Sequence, residues 1–96
     1  MLTGKQKGFL RSMGNEMDPI MQVGKGGITE AVVTQTDGVL EVRELIKCRV
    51  LTNCSEEPKI VAESLAKQTE ADVVQVIGRN FLLYRVSKNK PVIELP

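Results

Sequence analysis

The chain has no histidine and no tryptophan, and its 96 positions hold only two cysteines and three other aromatic or phenolic side chains. Without histidine the commonest general base and a common metal ligand are missing. Cys48 and Cys54 fit no zinc or redox spacing, and two thiols cannot close a tetrahedral site alone. No nucleophile–base pair stands out, so the expectation is a protein that is not an enzyme and uses no cofactor, metal or small-molecule substrate. Long apolar runs and a signal-peptide pattern are lacking as well. A cytoplasmic protein with reduced thiols, not bound to a membrane, is therefore expected. Phe9, Phe81 and Tyr84 are too few for a sheet that stacks bases on exposed aromatics, as RRM domains do. Tyr84 reads as a core or rim residue. Charge of one sign is missing too, since the formal net charge is +1.

The distribution of charge is more informative than its sum. From Met1 to Asn15 the charged residues are Lys5, Lys7 and Arg11, all basic; from Val73 to Ile93 they are Arg79, Arg85, Lys88 and Lys90. Acids crowd the middle, where Glu56, Glu57, Glu63, Glu70 and Asp72 are offset only by Lys59 and Lys67. A near-neutral chain with basic ends and an acidic flank is polarised. With 42% hydrophobic and 26% charged residues it has the balance of a soluble globular domain. One domain over 1–96, burying roughly two-thirds of its unfolded surface, is expected.

The most distinctive stretch is Val23-Gly24-Lys25-Gly26-Gly27-Ile28. It follows an apolar run, Ile20 to Val23, and precedes a helical pattern from Thr29. The P-loop pattern fails because Gly26 follows Lys25, and the dinucleotide fingerprint fails because Thr29 occupies its third glycine position. What remains is G-x-x-G, Gly24 to Gly27, the spacing with which KH domains clamp a nucleic-acid backbone. A helix starting after the loop would aim free N–H groups and the positive dipole end at a phosphate. The plainer alternative is a tight strand-to-helix connection with nothing bound.

Around that loop the chain reads α-β-α-β-α-β-β. Thr3-Gly4-Lys5-Gln6 has the form of a capping box, and the helix it opens runs to about Met13 before Gly14-Asn15. Phe9, Leu10 and Met13 should be core, while Lys7 and Arg11 lie one turn apart on another face. Thr29 to about Val42 has a helical stripe through Ile28, Val32, Gln35/Thr36 and Val39. Its β-branched residues and Gly38 argue against a helix by propensity and leave two strands around Thr36-Asp37-Gly38 as the alternative. The helix is the reading kept, since the anion site needs one there. Leu45 to Leu51 alternates as a strand, with Ile46, Cys48 and Val50 on one face and Lys47 and Arg49 on the other, the usual solvent side. Ser55 is placed as the cap of an acidic helix with Ile60, Val61, Ser64 and Leu65 on its apolar side, ending near Glu70. Val73 to Ile77 and Phe81 to Val86 form a hairpin across Gly78-Arg79-Asn80, with Arg79 at the tip. Residues 87–96 are a polar tail with a late apolar element at Val92, Ile93 and Leu95. The fold expected is α/β (α+β, two-layer) with a mixed four-stranded sheet, the first two strands parallel through a right-handed crossover.

Taken together, Leu2-Thr3-Gly4-Lys5-Gln6-Lys7, Val23 to Glu30, Glu44-Leu45-Ile46-Lys47, Val76-Ile77-Gly78-Arg79 and Leu83-Tyr84-Arg85 resemble the CRM domain (chloroplast RNA splicing and ribosome maturation). The likeness is to its small stand-alone bacterial form, the YhbY-like proteins, and it covers nearly the whole chain. The resemblance implies a fold similar to the C-terminal domain of translation initiation factor three. It implies RNA binding, in bacteria on precursors of the large ribosomal subunit; a monomer is expected. The family's G-x-x-G loop maps onto Gly24, Lys25, Gly26 and Gly27, and its basic first helix onto Lys5, Lys7 and Arg11. Arg79 and Arg85 are further candidates for RNA contact, with Lys88 and Lys90 after them. Gly26 departs from relatives that carry a polar residue there, leaving Lys25 as the loop's sole charged side chain. A competing reading is a protein-interaction module that meets a ribosomal protein or assembly factor through the acidic helix between Glu56 and Glu70.

Overall fold

The computed structural model describes residues 2–96. Seven elements follow one another: α1 (Gly4–Gly14), β1 (Met21–Val23), α2 (Glu30–Arg43), β2 (Leu45–Val50), α3 (Pro58–Thr69), β3 (Asp72–Ile77) and β4 (Asn80–Tyr84). The strands form one sheet in the order β1-β2-β4-β3. β1 and β2 are parallel, joined by α2, while β4 runs antiparallel to both β2 and β3. The segment from Thr29 onward is thus a helix and not a hairpin. Thr29 caps it by accepting from the Val32 N–H at 3.2 Å, which offsets the poor helix propensity of its β-branched residues.

Alternation along the strands divides the core in two. Met21, Val23, Ile46, Cys48, Val50, Phe81 and Leu83 face α2 and α3, where Leu40, Val61, Ala62, Leu65 and Ala66 close the larger cluster. Burial there pushes the Cys48 thiol up to about 12, so it acts as a small core hydrophobe. On the reverse face Leu45, Val74, Leu82 and Tyr84 meet Leu10 of α1, with Leu2, Met17, Ile93 and Leu95 around them. α1 and the C-terminal tail therefore add a partial third layer to the two layers of sheet and helices.

Several packing expectations change. Both halves of the capping box at Thr3 and Gln6 form, at 3.0 and 3.1 Å, but the buried seam of α1 runs through Leu10 and Gly14. A Cβ at Gly14 would lie 2.3 Å from the Leu82 Cδ1 atom. That close approach sets the roll of the helix and leaves Phe9 and Met13 at 40% and 39% exposure, outside the core. The cap of α3 is Glu57, with Pro58 in the first turn and no side-chain bond, instead of Ser55; Ile60 is half exposed. The hairpin turn is Gly78-Arg79, with Gly78 at φ 58°, and Asn80 already belongs to β4.

The tail is anchored by two carboxylates at the end of α2. Glu44, fully buried, accepts from the N–H groups of Ser87, Val92 and Ile93 at 2.7, 2.8 and 2.8 Å. Glu41 accepts from the Ser87 hydroxyl at 2.6 Å and from the N–H groups of Lys88 and Asn89. Lys88 and Lys90 consequently sit on this fastened segment.

Candidate nucleic-acid interface

β1 and β2 finish together, and the ladder extends one residue further as the Leu51 N–H donates to the Val23 carbonyl at 2.8 Å. The glycine stretch begins at that point. The Gly27 N–H donates to the Gly24 carbonyl at 2.9 Å, closing a four-residue turn with exposed Lys25 and Gly26 at its tip. Gly27 has φ 65°, a left-handed conformation that costs a residue with a Cβ. A Cβ at Gly24 would sit 3.3 Å from Leu51 Cδ1 and 3.4 Å from Asn53 Oδ1, so this glycine allows the turn to lie against the β2–α3 loop.

The helix does not start directly after the turn. Ile28 and Thr29 intervene, the Thr29 hydroxyl takes the Val32 N–H, and Glu30 in the first turn already meets the positive dipole end. What the turn presents to an anion is therefore the backbone at Lys25 and Gly26 together with the Lys25 ammonium, with less from α2 than the sequence suggests.

Arg79 stands beside the turn. Its Nε donates to the Val50 carbonyl at 2.7 Å and its Nη2 to the Leu51 carbonyl at 2.8 Å, while its own carbonyl accepts from the Val50 N–H. It clamps the segment on which Gly24 rests, and since both partners are neutral its charge stays uncompensated. Arg85 is different. Its guanidinium is paired with Asp37 and donates to the carbonyls of Thr69 at 2.8 Å and Asp37 at 3.0 Å, with Glu41 3.8 Å away. The side chain is only 10% exposed. The structure places Arg85 in an internal brace between α2, α3 and β4, away from the surface expected of it.

The start of α1, with Gln6 and the preceding Leu2, lies near Asp72 and Tyr84 and its end at Gly14 lies on Leu82, so Arg11 lies toward the glycine-turn end of the molecule and Lys5 and Lys7 lie further back. Between α1 and the turn the sheet is open. Gln22, Arg49, Asn80 and Ile77 form one cross-strand row, and Lys47, Leu82 and Gln75 form the next. Arg49 is exposed and Lys47 half-buried. These two cations, which alternation alone assigns to an ordinary solvent side, link the end of α1 to the glycine turn. The signal that could have found them is the parallel register, which puts Arg49 beside Gln22, two residues before Gly24. Among the described residues Arg85 is the only cation in an ion pair; the bases of α1, the sheet face and the turn have no carboxylate partner.

Comparison with known proteins gives a consistent picture. The family model of the CRS1 / YhbY (CRM) domain matches residues 2–85. The chain is 51% identical over 96 residues, all of both chains, to the Bacillus subtilis protein named Probable RNA-binding protein YqeI. It is 34% identical over 95 residues to a Haemophilus influenzae RNA-binding protein, covering 99% of this chain and 95% of that one. Its fold is similar to the solution structure of the hypothetical protein SAV1595 from Staphylococcus aureus, with TM-score 0.83, 52% identity and full coverage of both chains. No helix among the described residues is long and apolar enough to cross a membrane.

Proposed function

The chain belongs to the CRS1 / YhbY (CRM) domain family, and from that premise we propose that it is a non-catalytic RNA-binding protein acting on precursor ribosomal RNA during assembly of the large ribosomal subunit. The observation that carries the RNA reading is the continuity of unpaired cations, Arg11, Lys47, Arg49 and Arg79, from α1 across the open sheet to the exposed turn at Lys25 and Gly26. Many of the acids lie elsewhere, while Glu16 and Asp18 follow the end of α1 and Glu30 opens α2 just past the glycine turn. Asp37, Glu41 and Glu44 are engaged by Arg85 and the tail. Glu56, Glu57 and Glu63 accompany α3, which packs on the other face of the sheet, and Glu70 and Asp72 lie by Leu2 and Gln6 at the far end of α1. A domain of net charge +1 can thus present one attractive face to a polyanion.

In this reading the turn's backbone and Lys25 hold phosphate at close range, since no side chain shields Gly26. Lys47, Arg49 and Arg79 extend the contact, and Arg11, Lys7 and Lys5 carry it along α1. Such contacts read backbone and shape, with little sequence selection of their own. Titrating the full chain with a structured ribosomal RNA fragment over a salt series tests it. With about four phosphates neutralised, log K falls against log salt with a slope near −3. Tight binding that ignores salt would overturn the electrostatic interface, and no binding at any salt would overturn the RNA reading.

A further inference from the structure

A pocket of about 140 Å³ lies between the end of α1 and the open sheet face, bordered by Asn15, Lys47, Gln75, Ile77 and Asn80 with Leu82 as its floor. We infer that this pocket takes one unpaired RNA base, an inference that rests on the RNA-binding reading above. Its volume is well below the roughly 300–1,000 Å³ of sites for drug-sized ligands, which suits a single planar ring system. Gly14 is what opens it: the helix end rests directly on Leu82, and no side chain from that position enters the space.

The chemistry inside differs from that at the rim. Asn80 Oδ1 is buried and has no hydrogen-bond partner, which is uncommon for a buried polar atom. The carbonyl end of α1 adjoins it and carries partial negative charge. Both call for a donor, and the exocyclic amine of a base supplies one once the Asn80 amide, whose Oδ1 is closed to solvent in the free protein, turns into the pocket. Amide side chains such as Gln75 and Asn80 pair donor and acceptor with a base edge in the same plane. Ile77, 60% exposed at the lip, offers an apolar surface to the ring. At the rim, Lys47 and neighbouring Arg49 are placed for the phosphates on either side of an inserted nucleotide. A base within a duplex is stacked and paired and cannot enter, so the site selects an unpaired one.

The test compares a perfect RNA duplex with the same duplex carrying one unpaired adenosine, titrated with the full chain. The bulged duplex is expected to bind about tenfold more tightly. Gln75→Ala and Asn80→Ala should each reduce that ratio toward one. In the wild-type chain, the side-chain amide resonances of Gln75 and Asn80 should move on adding the bulged duplex and stay in place with the perfect one. This NMR reading holds even if a variant folds poorly. Equal affinity for the two duplexes, or amide resonances that respond to neither, overturns the pocket while leaving RNA binding intact. Failure to bind either duplex overturns the RNA reading and the pocket with it.

Discussion

At the scale of single residues, Arg79 and Arg85 show how position decides what a cation does. Arg79 donates to two neutral carbonyls beside the glycine turn, whereas Arg85 is enclosed with Asp37, Glu41 and the Thr69 carbonyl. Arg85→Met should therefore destabilise the fold by about 1.5–3 kcal/mol, the range for hydrogen bonds to a charged group, and leave the salt slope of RNA binding unchanged. Arg79→Met should reduce that slope by about 0.7–0.9. Denaturant titration and RNA titration of both variants check the contrast. The turn separates in the same way. Gly26 is exposed, and an added Cβ would meet only Thr29 Cγ2 at 3.7 Å. Gly26→Asp should then keep stability within about 0.5 kcal/mol while weakening RNA binding more than Lys25→Ala, for which about 1 kcal/mol is expected. Full RNA affinity in Gly26→Asp would make the turn a plain connection. Gly27→Asp, at φ 65°, should lose stability as well, by about 1 kcal/mol. The sequence marked both arginines equally, because nothing local to Arg85 points to Asp37, 48 residues away.

At the scale of elements, the C-terminal segment depends on α2. Burial pushes the Glu44 carboxyl up, yet the N–H groups of Ser87, Val92 and Ile93 outweigh it and hold its pKa below the usual 4.5. The Ser87 hydroxyl, then the Lys88 N–H, lower Glu41 likewise. A carboxyl whose folded pKa is depressed stabilises fully above its unfolded value and loses that contribution as pH falls through the folded one. Glu44→Gln should thus lower the urea midpoint at pH 7. The gap to the wild-type chain should shrink on acidification below about 4.5. A gap that stays constant down to pH 3 would mean the carboxylate charge is not what holds the segment. Element order was readable in advance because the capping box at Thr3, the alternation of Leu45 to Val50 and the Gly78 turn are local signals. The anchoring of 87–96 was not, since Glu44 only becomes buried when residues far along the chain fold over it. The failure at Phe9 and Met13 has a similar origin. Helical periodicity gives a stripe, and the contact of Gly14 with Leu82 decides which edge of the stripe faces the sheet.

At the scale of the whole molecule, the clustering of unpaired cations between the end of α1 and the glycine turn bears on the cellular partner. The candidate interface is built from the Lys25–Gly26 turn, Arg79 and a strip of unpaired cations, a surface that recognises phosphate spacing and shape more than sequence. Such a surface gains selectivity from a target that is abundant, structured and only transiently open. On the proposed function, precursor ribosomal RNA would meet those conditions, because in a finished subunit the phosphates it bound would be covered by tertiary contacts and ribosomal proteins. The protein is therefore expected to co-sediment with immature large subunits in low-salt sucrose gradients from growing cells. It should move to the top of the gradient as salt rises, since counterion release supplies most of the affinity. Replacing Lys47 and Arg49 together with Gln should shift it upward at a lower salt concentration, because two phosphate contacts are removed while the core faces of β2, through Ile46, Cys48 and Val50, remain intact. Equal distribution over mature subunits and polysomes, or absence from every ribosomal fraction, would refute the assembly role. RNA binding measured with purified components would then stand alone, as the property of a domain with a broader set of targets.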